Sequence, residues 1–210
     1  MAYRRETLDK YLEDAAARLP APGGGSVSAL TGALAAAMGA MAARFTLGKK
    51  KFKKVEPQVK SALDVLDKAM ERLSQLVDED TLVYEKVLGA YAMSKETEEQ
   101  KKLRNEAIQS ALREALSVPL EIARSARRVA ETAAQMVDIS NPMLITDVGV
   151  CAIMAEAACQ GARLNVDINL NQITDPDFVA EVSEELSSIC AAALQAKTKV
   201  AGCINAYLTG

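Results

Sequence analysis

The sequence predicts an all-α protein, a helical bundle of about six to eight helices joined by short loops. Apolar residues recur at three- and four-residue spacing along most of the 210 residues, the period of an amphipathic helix. No segment alternates convincingly with the period of two that a half-buried strand requires. Half of the residues are apolar, enough for a sizeable core, so we expect one all-helical domain spanning residues 1–210.

The first two predicted helices lie on either side of a glycine-rich loop. Residues 7–19 place apolar side chains at helical spacing, and Pro20 ends that helix. Residues 27–43 hold no charge and no proline and repeat Gly and Ala at helical spacing, with Ser26 as the predicted N-cap and Gly48 as the C′ residue. Because small side chains let helices approach closely, we expect a tight contact here, within one subunit or between two.

Two long helical patterns fill the middle of the chain. The first opens with Pro57 in its first turn and runs to about residue 91, with the acidic triplet at residues 78–80 forming either a break or a site. The second covers residues 103–139 and contains Pro119, where we expect a bend because proline removes a helical hydrogen bond.

Two further helices complete the predicted bundle. Thr146 can cap a helix over residues 147–161, whose uncharged face is typical of a buried surface. Residues 165–170 alternate like a strand, but an isolated strand has no partner, so we interpret them as extended chain or as a continuation of that helix. Asp175 as N-cap and Pro176 at the first helical position start the last helix.

Composition narrows the classes of function. A net charge of −3 and an aromatic content of 4% argue against a nucleic-acid binder, which needs a basic surface. Without histidine, any acid or base has to be a carboxylate, lysine, tyrosine or thiol. The four cysteines form no Cys-x-x-Cys pair, so we predict neither a metal site nor a disulfide framework. No secretory leader is recognisable, and we expect a cytoplasmic location.

Residues 20–54 combine features that favour anions. Three adjacent glycines precede the N-terminus of the small-residue helix, where backbone N–H groups attract negative charge: Gly23, Gly24 and Gly25. Five lysines follow that helix: Lys49, Lys50, Lys51, Lys53 and Lys54. Each feature also occurs without any ligand, since glycine-rich turns commonly precede helices and lysine runs are commonly solvated. The uncharged run is rich in small residues and short for a membrane span, so we predict a buried core helix and no membrane.

Three blocks of sequence occur in an order that is specific in combination. They are Ala-Pro-Gly-Gly-Gly-Ser at 21–26 with Thr-Leu-Gly-Lys-Lys-Lys-Phe at 46–52, the acidic segment at 78–91, and Thr-Asp-Val-Gly-Val at 146–150 with Leu-Asn-Val-Asp-Ile-Asn-Leu at 164–170. Together they resemble the family of methenyltetrahydrofolate cyclohydrolases and formiminotetrahydrofolate cyclodeaminases. Arg44 and Phe52 stand where members commonly have Asn and Tyr, and Arg44 would alter the electrostatics of any site that it lines.

The resemblance implies a reduced folate as substrate, no cofactor, and a self-associating helical bundle. Since homodimers are the commonest closed oligomer, we expect a homodimer. Cyclohydrolysis adds water to the cationic methenyl carbon, so it requires a base for the water and a proton donor for the departing nitrogen. Asp80 and Asp147 are the predicted catalytic carboxylates, although Asp147 also suits a helical first turn that needs no catalytic role. The predicted substrate-binding residues are Gly23, Gly24, Gly25, Ser26, Lys49, Lys50, Lys51 and Asn169.

Several functions remain open at this point. Formimino cyclodeamination, which expels ammonia as the methenyl bridge closes, passes through a similar tetrahedral carbon. The chain length without an attached transferase domain and the stretch at residues 90–99 favour the cyclohydrolase. Alternatives of another class are a non-catalytic folate-binding or scaffold protein and a peripheral membrane protein, the last disfavoured because the apolar run is not amphipathic.

Overall fold

The computed structural model describes residues 2–209, which form six α-helices and three short 3₁₀ turns without any strand. The predicted all-α class is therefore confirmed. The helices are α1 (Leu8–Ala16), α2 (Gly24–Thr46), α3 (Glu56–Tyr91), α4 (Glu98–Met136), α5 (Ile145–Leu170) and α6 (Pro176–Thr209).

The two most apolar helices, α2 and α5, lie side by side in opposite directions at the front of the bundle. Helix α4 lies behind them and contacts α2, α3, α5 and α6, while α3 flanks α2 and α6 flanks α5. Small residues set the spacing, since a Cβ on Gly32 would lie 3.1 Å from Leu73 of α3, and a Cβ on Gly39 would lie 3.0 Å from the Cys151 sulfur of α5. The close contact predicted for α2 is thus made within one subunit.

The ends of the helices explain where the sequence-based bounds need correction. Helix α4 begins earlier than predicted because Thr97 and Gln100 form a reciprocal capping box, and it continues through Pro119. Helix α3 does not break at the acidic triplet: Asp78 and Glu79 pair with Arg4 and Arg72, and Asp80 is turned into the protein.

Three corrections concern α2 and α5. The N-cap of α2 is Gly23, and Ser26 lies buried inside its first turn. Thr146 does not cap α5, which follows a 3₁₀ turn at Pro142–Leu144 and begins at Ile145. Helix α5 continues to Leu170, so the interpretation of residues 165–170 as a helical continuation is confirmed and the extended alternative is wrong.

Other expectations are confirmed. Gly48 has a φ of 74° directly after the C-cap of α2, and Asp175 caps α6 by accepting a hydrogen bond from the Phe178 N–H at 3.1 Å. Three of the four cysteines are buried thiols, and Cys203 is half-buried.

Two helical segments, Gly24–Thr46 and Pro142–Leu170, are long and apolar enough to cross a membrane by length and composition alone. The most apolar stretches of the two segments are 61% and 44% buried inside the protein, respectively. A core helix meets the same criterion of length and composition without crossing a membrane. Both helices also expose large apolar side chains, among them Leu34 of α2 and Ile153 of α5.

Candidate active site

A cavity of about 340 Å³, the Asp80 cavity, lies at one end of the bundle. Its walls come from the glycine loop and first turn of α2, the C-terminal third of α3, one side of α4 and the last turns of α5. A volume of this size is within the range of small-molecule sites. Asp80 is the only charged residue among the described residues that line the cavity.

Asp80 is held by the first turn of α2. Its Oδ2 atom accepts a hydrogen bond from the Ser26 backbone N–H at 3.0 Å. Burial raises the pKa of the Asp80 carboxyl above its usual range, and the Ser26 N–H partly opposes that shift by stabilising the ionised form. A carboxyl shifted in this direction is suited to exchange protons with a bound substrate closer to neutral pH.

Close approach explains two of the three adjacent glycines, whereas a Cβ on Gly23 would meet open space. A Cβ on Gly25 would lie 2.5 Å from Cγ and 2.8 Å from Oδ2 of Asp80. Any residue other than glycine at this position would therefore displace the carboxylate. A Cβ on Gly24 would lie 3.2 Å from the Asn165 amide nitrogen. Neither glycine has a positive φ; among the described residues only Gly48 does. A role for Gly23, Gly24, Gly25 and Ser26 in substrate binding stays a prediction.

Two asparagines one helical turn apart line the opposite wall. Asn165 donates its amide to the Gly161 carbonyl at 2.8 Å, and Asn169 donates to the Asn165 carbonyl at 2.8 Å. Each side chain therefore uses one N–H within α5, which leaves its carbonyl oxygen as an acceptor at the cavity. Asn169 was predicted, whereas Asn165 was missed because residues 165–170 were not firmly recognised as helical; the i, i+4 spacing would have linked the two.

Two further residues near Asp80 were missed by sequence reasoning. The Tyr11 hydroxyl lies 3.0 Å from Ser26 Oγ, and burial raises the pKa of the Tyr11 phenol, with the nearby Asp80 charge acting in the same direction. Thr81 lines the cavity, and its buried hydroxyl has no hydrogen-bond partner among the described residues. The sequence indicated only that Tyr11 is buried, because this residue belongs to the apolar stripe of the first helix.

The loop before α2 is fixed from the N-terminal side. The Tyr3 hydroxyl lies 3.1 Å from the Ala21 carbonyl and 3.2 Å from Asp14 Oδ2, and its ring packs edge-on against Tyr11. Since Ala21 lines the cavity, these contacts position the loop that forms its rim.

The other predicted site residues lie at the opposite end of the bundle. Lys49, Lys50 and Lys51 follow the C-terminus of α2, about 33 Å from Gly24 at roughly 1.5 Å per residue. Asp147 is half-buried in the first turn of α5, about 27 Å along the helix axis from Asn165 on the same scale. Within one chain, the structure does not bring Asp147 or these lysines to Asp80, and their catalytic and binding roles stay predictions.

Charged groups outside the cavity are mostly paired at the surface. Arg44 binds both oxygens of Asp67 at 2.8 Å and does not line the cavity. Arg44 therefore makes no direct contact with Asp80, although it departs from the family pattern. Arg124, Arg127 and Arg128 form surface ion pairs with three glutamates, as is typical of a solvated helix face. Within residues 2–209, no group of three or more Cys, Asp or Glu residues is arranged to hold a metal ion.

Comparison with known proteins identifies a common family. The sequence profile described as formiminotransferase-cyclodeaminase matches residues 7–188. A methenyltetrahydrofolate cyclohydrolase from Methylorubrum extorquens is 35% identical over 188 residues, covering 90% of each chain. A formimidoyltransferase-cyclodeaminase from Rattus norvegicus is 32% identical over 93% of this chain, which spans only 36% of the rat protein. The crystal structure of formiminotetrahydrofolate cyclodeaminase from Thermotoga maritima superposes with a TM-score of 0.88 at 31% identity, covering 97% of this chain and 98% of that one.

Proposed function

The chain belongs to the formiminotransferase-cyclodeaminase family, and from this premise we propose that it hydrolyses methenyltetrahydrofolate to formyltetrahydrofolate. The observation that carries the proposal is the position of Asp80, a half-buried carboxylate that is the only charge among the described residues lining the cavity. The Methylorubrum relative, which bears the name of this activity and aligns over 90% of its length, supports the cyclohydrolase as the first choice.

The cavity suits a flat, cationic ring system. Methenyltetrahydrofolate carries a positive charge delocalised over its bridging carbon and two nitrogens, and an ionised Asp80 stabilises that charge more strongly than it would in bulk water because the carboxyl is partly desolvated. Apolar side chains of α3 and α4, including Val87 and Leu112, offer surface for the rings. The free carbonyl oxygens of Asn165 and Asn169 accept hydrogen bonds from ring N–H groups.

The proposed reaction adds one water and releases one proton. Asp80 accepts a proton from the water as its oxygen bonds to the methenyl carbon, giving a neutral tetrahedral intermediate. The bond from that carbon to one nitrogen then breaks as the nitrogen takes up the proton held by Asp80. Loss of the intermediate's hydroxyl proton to solvent forms the carbonyl and leaves the formyl group on the other nitrogen. One carboxyl with a raised pKa can serve as base and then as acid.

The second candidate is formiminotetrahydrofolate cyclodeamination. In that reaction one folate nitrogen attacks the formimino carbon, and the tetrahedral intermediate expels ammonia after its nitrogen has been protonated. A raised pKa for Asp80 favours the protonated form that would supply this proton. The Thermotoga structure of nearly equal length is described as this cyclodeaminase, which supports retaining the alternative.

A spectroscopic assay tests both candidates. Purified protein is mixed with methenyltetrahydrofolate, and separately with formiminotetrahydrofolate, and the absorbance of the methenyl chromophore is followed against the uncatalysed rate. Faster loss of the chromophore, abolished in Asp80→Asn, is the expected result. Faster appearance of the chromophore with ammonia, from the formimino substrate only, would replace the assignment by cyclodeaminase. A folded protein that accelerates neither reaction would contradict both and favour a folate-binding or scaffold role.

We also propose the features of the protein that accompany this activity. Neither reaction is an oxidation or a reduction, so we propose that the protein requires no cofactor besides its folate substrate. The four cysteines are free thiols, which is typical of a reducing compartment and supports a cytoplasmic location. Because α4 contacts four of the other helices, we treat the chain as one functional domain.

A homodimer is the oligomeric state that the surface supports. The outward sides of α2 and α5 form an apolar face with seven exposed large side chains: Val27, Leu34, Phe45, Val150, Ile153, Leu164 and Ile168. Their spacing follows one stripe along each helix, so the face runs the length of the bundle. An exposed apolar surface of this kind marks an interaction site, and two-fold homodimers are the commonest closed assembly.

A further inference from the structure

We propose that Tyr84 is a specificity-determining residue of the Asp80 cavity, because its aromatic ring lies beside the charged methenyl bridge of the folate and favours that cation over the neutral formyl product. The inference rests on the proposed function and adds to it how the site distinguishes its substrate from its product. In this arrangement Asp80 supplies a full negative charge, and Tyr84 supplies the face of a ring next to it.

Charge is the property that separates the two folates. Methenyltetrahydrofolate carries one positive charge over its bridging carbon and two nitrogens, whereas the formyl group of the product is a neutral amide. The rest of the molecule is common to both, so contacts with it bind substrate and product about equally. Asp80 discriminates between them only while it is ionised, and burial raises its pKa. The negative face of an aromatic ring attracts a cation at every pH.

The positions of Tyr84 and Asp80 place both at the same part of the cavity. They lie four residues apart on α3, and both line the cavity. Side chains at this spacing share one face of a helix, with Cβ atoms about 5–6 Å apart. Aromatic side chains of a helix point back toward its N-terminus, so the Tyr84 ring leans toward the turn that carries Asp80. A cation held at the carboxylate then comes within the range of about 6 Å over which a ring attracts it.

The Tyr84 ring has no aromatic or cationic partner within residues 2–209. Most other aromatic rings of the protein have one, either a second ring packed edge-on or a lysine or arginine over the face: Tyr3, Tyr11, Phe52, Tyr91 and Phe178. Phe45 and Tyr207 also lack such a partner, but neither lines the cavity. Tyr84 is thus the only aromatic residue among the described residues of the lining, and its ring is free to pack against a ligand.

The size of the effect follows from the exposure of the ring. Tyr84 is 45% exposed in the empty cavity, so a bound folate desolvates the ring only in part. A cation over a partly desolvated ring corresponds to about a 3- to 10-fold gain in affinity. Aliphatic side chains such as Val87 and Leu112 already provide apolar surface in the cavity. A leucine at position 84 would therefore retain the apolar contact and lose only the attraction for charge.

Competition kinetics measure this selectivity. The KM for methenyltetrahydrofolate and the inhibition constant of formyltetrahydrofolate are determined for the wild type, Tyr84→Phe and Tyr84→Leu. We expect Tyr84→Leu to raise KM about 3- to 10-fold and to leave the inhibition constant of the product within about twofold. The kcat should not fall, since the charge of the ring system disappears as water adds and the lost contact belongs to the ground state. Tyr84→Phe keeps the ring and should resemble the wild type.

Two further variants guard the interpretation. Tyr84→Trp carries the ring that attracts cations most strongly, so it should increase the preference for the substrate. Tyr207→Leu is the matched control, because Tyr207 is an exposed tyrosine of α6 outside the cavity and its loss should change none of these constants. An equal loss of affinity for substrate and product in Tyr84→Leu would show a contact of shape alone and overturn the proposal. A loss in Tyr84→Phe as large as in Tyr84→Leu would assign the effect to the hydroxyl and overturn it as well.

The outcomes separate this inference from the proposed function. Wild-type turnover with unchanged selectivity in folded Tyr84→Leu leaves the proposed function standing and refutes the role of Tyr84. Absence of turnover with either folate removes the proposed function, and Tyr84 is then tested by equilibrium binding of methenyltetrahydrofolate against tetrahydrofolate, which lacks the charged bridge. Weaker binding of the cation alone in Tyr84→Leu supports the inference, and an unchanged ratio of the two affinities refutes it.

Discussion

Replacement of Gly25 by alanine tests the geometry on which the proposed chemistry depends. The added Cβ would lie 2.5 Å from Cγ and 2.8 Å from Oδ2 of Asp80, whereas unstrained carbon contacts are about 3.5 Å or more. The carboxylate must therefore retreat by roughly 1 Å, and its hydrogen bond to the Ser26 N–H lengthens from 3.0 Å beyond bonding distance.

The consequences follow from that displacement. Misplacement of a reacting group by about 1 Å costs on the order of 100-fold in rate, so we expect kcat/KM for methenyltetrahydrofolate to fall by about that factor. Loss of a hydrogen bond to a charged group costs about 1.5–3 kcal/mol, and the better helix propensity of alanine returns about 0.5–1 kcal/mol. The net expectation is a decrease of about 1–2 kcal/mol in the free energy of unfolding.

The assay combines turnover with urea unfolding and includes a matched glycine. Gly89 is also inside a helix but has open space where its Cβ would lie, and it does not line the cavity. Gly89→Ala should keep wild-type turnover and gain about 0.5–1 kcal/mol of stability from the helix. Wild-type kcat/KM in a folded Gly25→Ala protein would refute the claim that the Asp80 position governs the reaction.

Three further predictions concern other parts of the molecule. Asp80→Asn should lower turnover by about 100-fold or more and raise Tm at neutral pH. Burial raises the folded-state pKa of Asp80, so the stability of the wild type falls as pH rises from the unfolded-state to the folded-state pKa. The higher Tm of Asp80→Asn relative to the wild type should therefore disappear in acid, which calorimetry can measure. In the wild type, the acidic limb of kcat/KM should titrate above the usual aspartate range. Thr97→Ala should cost about 1 kcal/mol in urea unfolding without changing KM, since it removes only the α4 cap. Leu34→Asp should give a monomer in sedimentation velocity, and a dimer of unchanged affinity would contradict the assigned interface.

The helices were predictable because their signals are local. Apolar periodicity located α1, α3 and α4, the uncharged run of small residues located α2, and Asp175 and Gly48 marked an N-cap and a C′ position correctly. The errors occurred where a tertiary contact overrides local preference. Ser26 has the chemistry of an N-cap, but its buried side chain bonds to Tyr11 instead. The acidic triplet at residues 78–80 is typical of a helix break. The helix nevertheless continues, because Arg4 and Arg72 neutralise two of the three carboxylates.

The candidate site was only partly predictable for the same reason. Asp80 and the glycines were singled out separately, but their contact joins residues that lie 54 positions apart in the chain, which no local pattern reveals. Asp147 was grouped with Asp80 because both lie in blocks that resemble the family, and a block's position in the sequence does not show at which end of the bundle it lies. Once α5 is one helix antiparallel to α2, the two carboxylates lie at opposite ends of the bundle.

The contact between Gly25 and Asp80 also constrains how this sequence can evolve. A mutation at position 25 to any other residue is selected against while position 80 carries a catalytic aspartate, since even one methyl group displaces the carboxylate. The order of substitutions therefore matters: a lineage that first replaced Asp80 by a smaller residue would release position 25 to drift, and its return to aspartate would then be barred. Glycine at position 25 is therefore expected to persist for as long as position 80 carries a carboxylate. Loss of both residues together would indicate a descendant that no longer performs this chemistry.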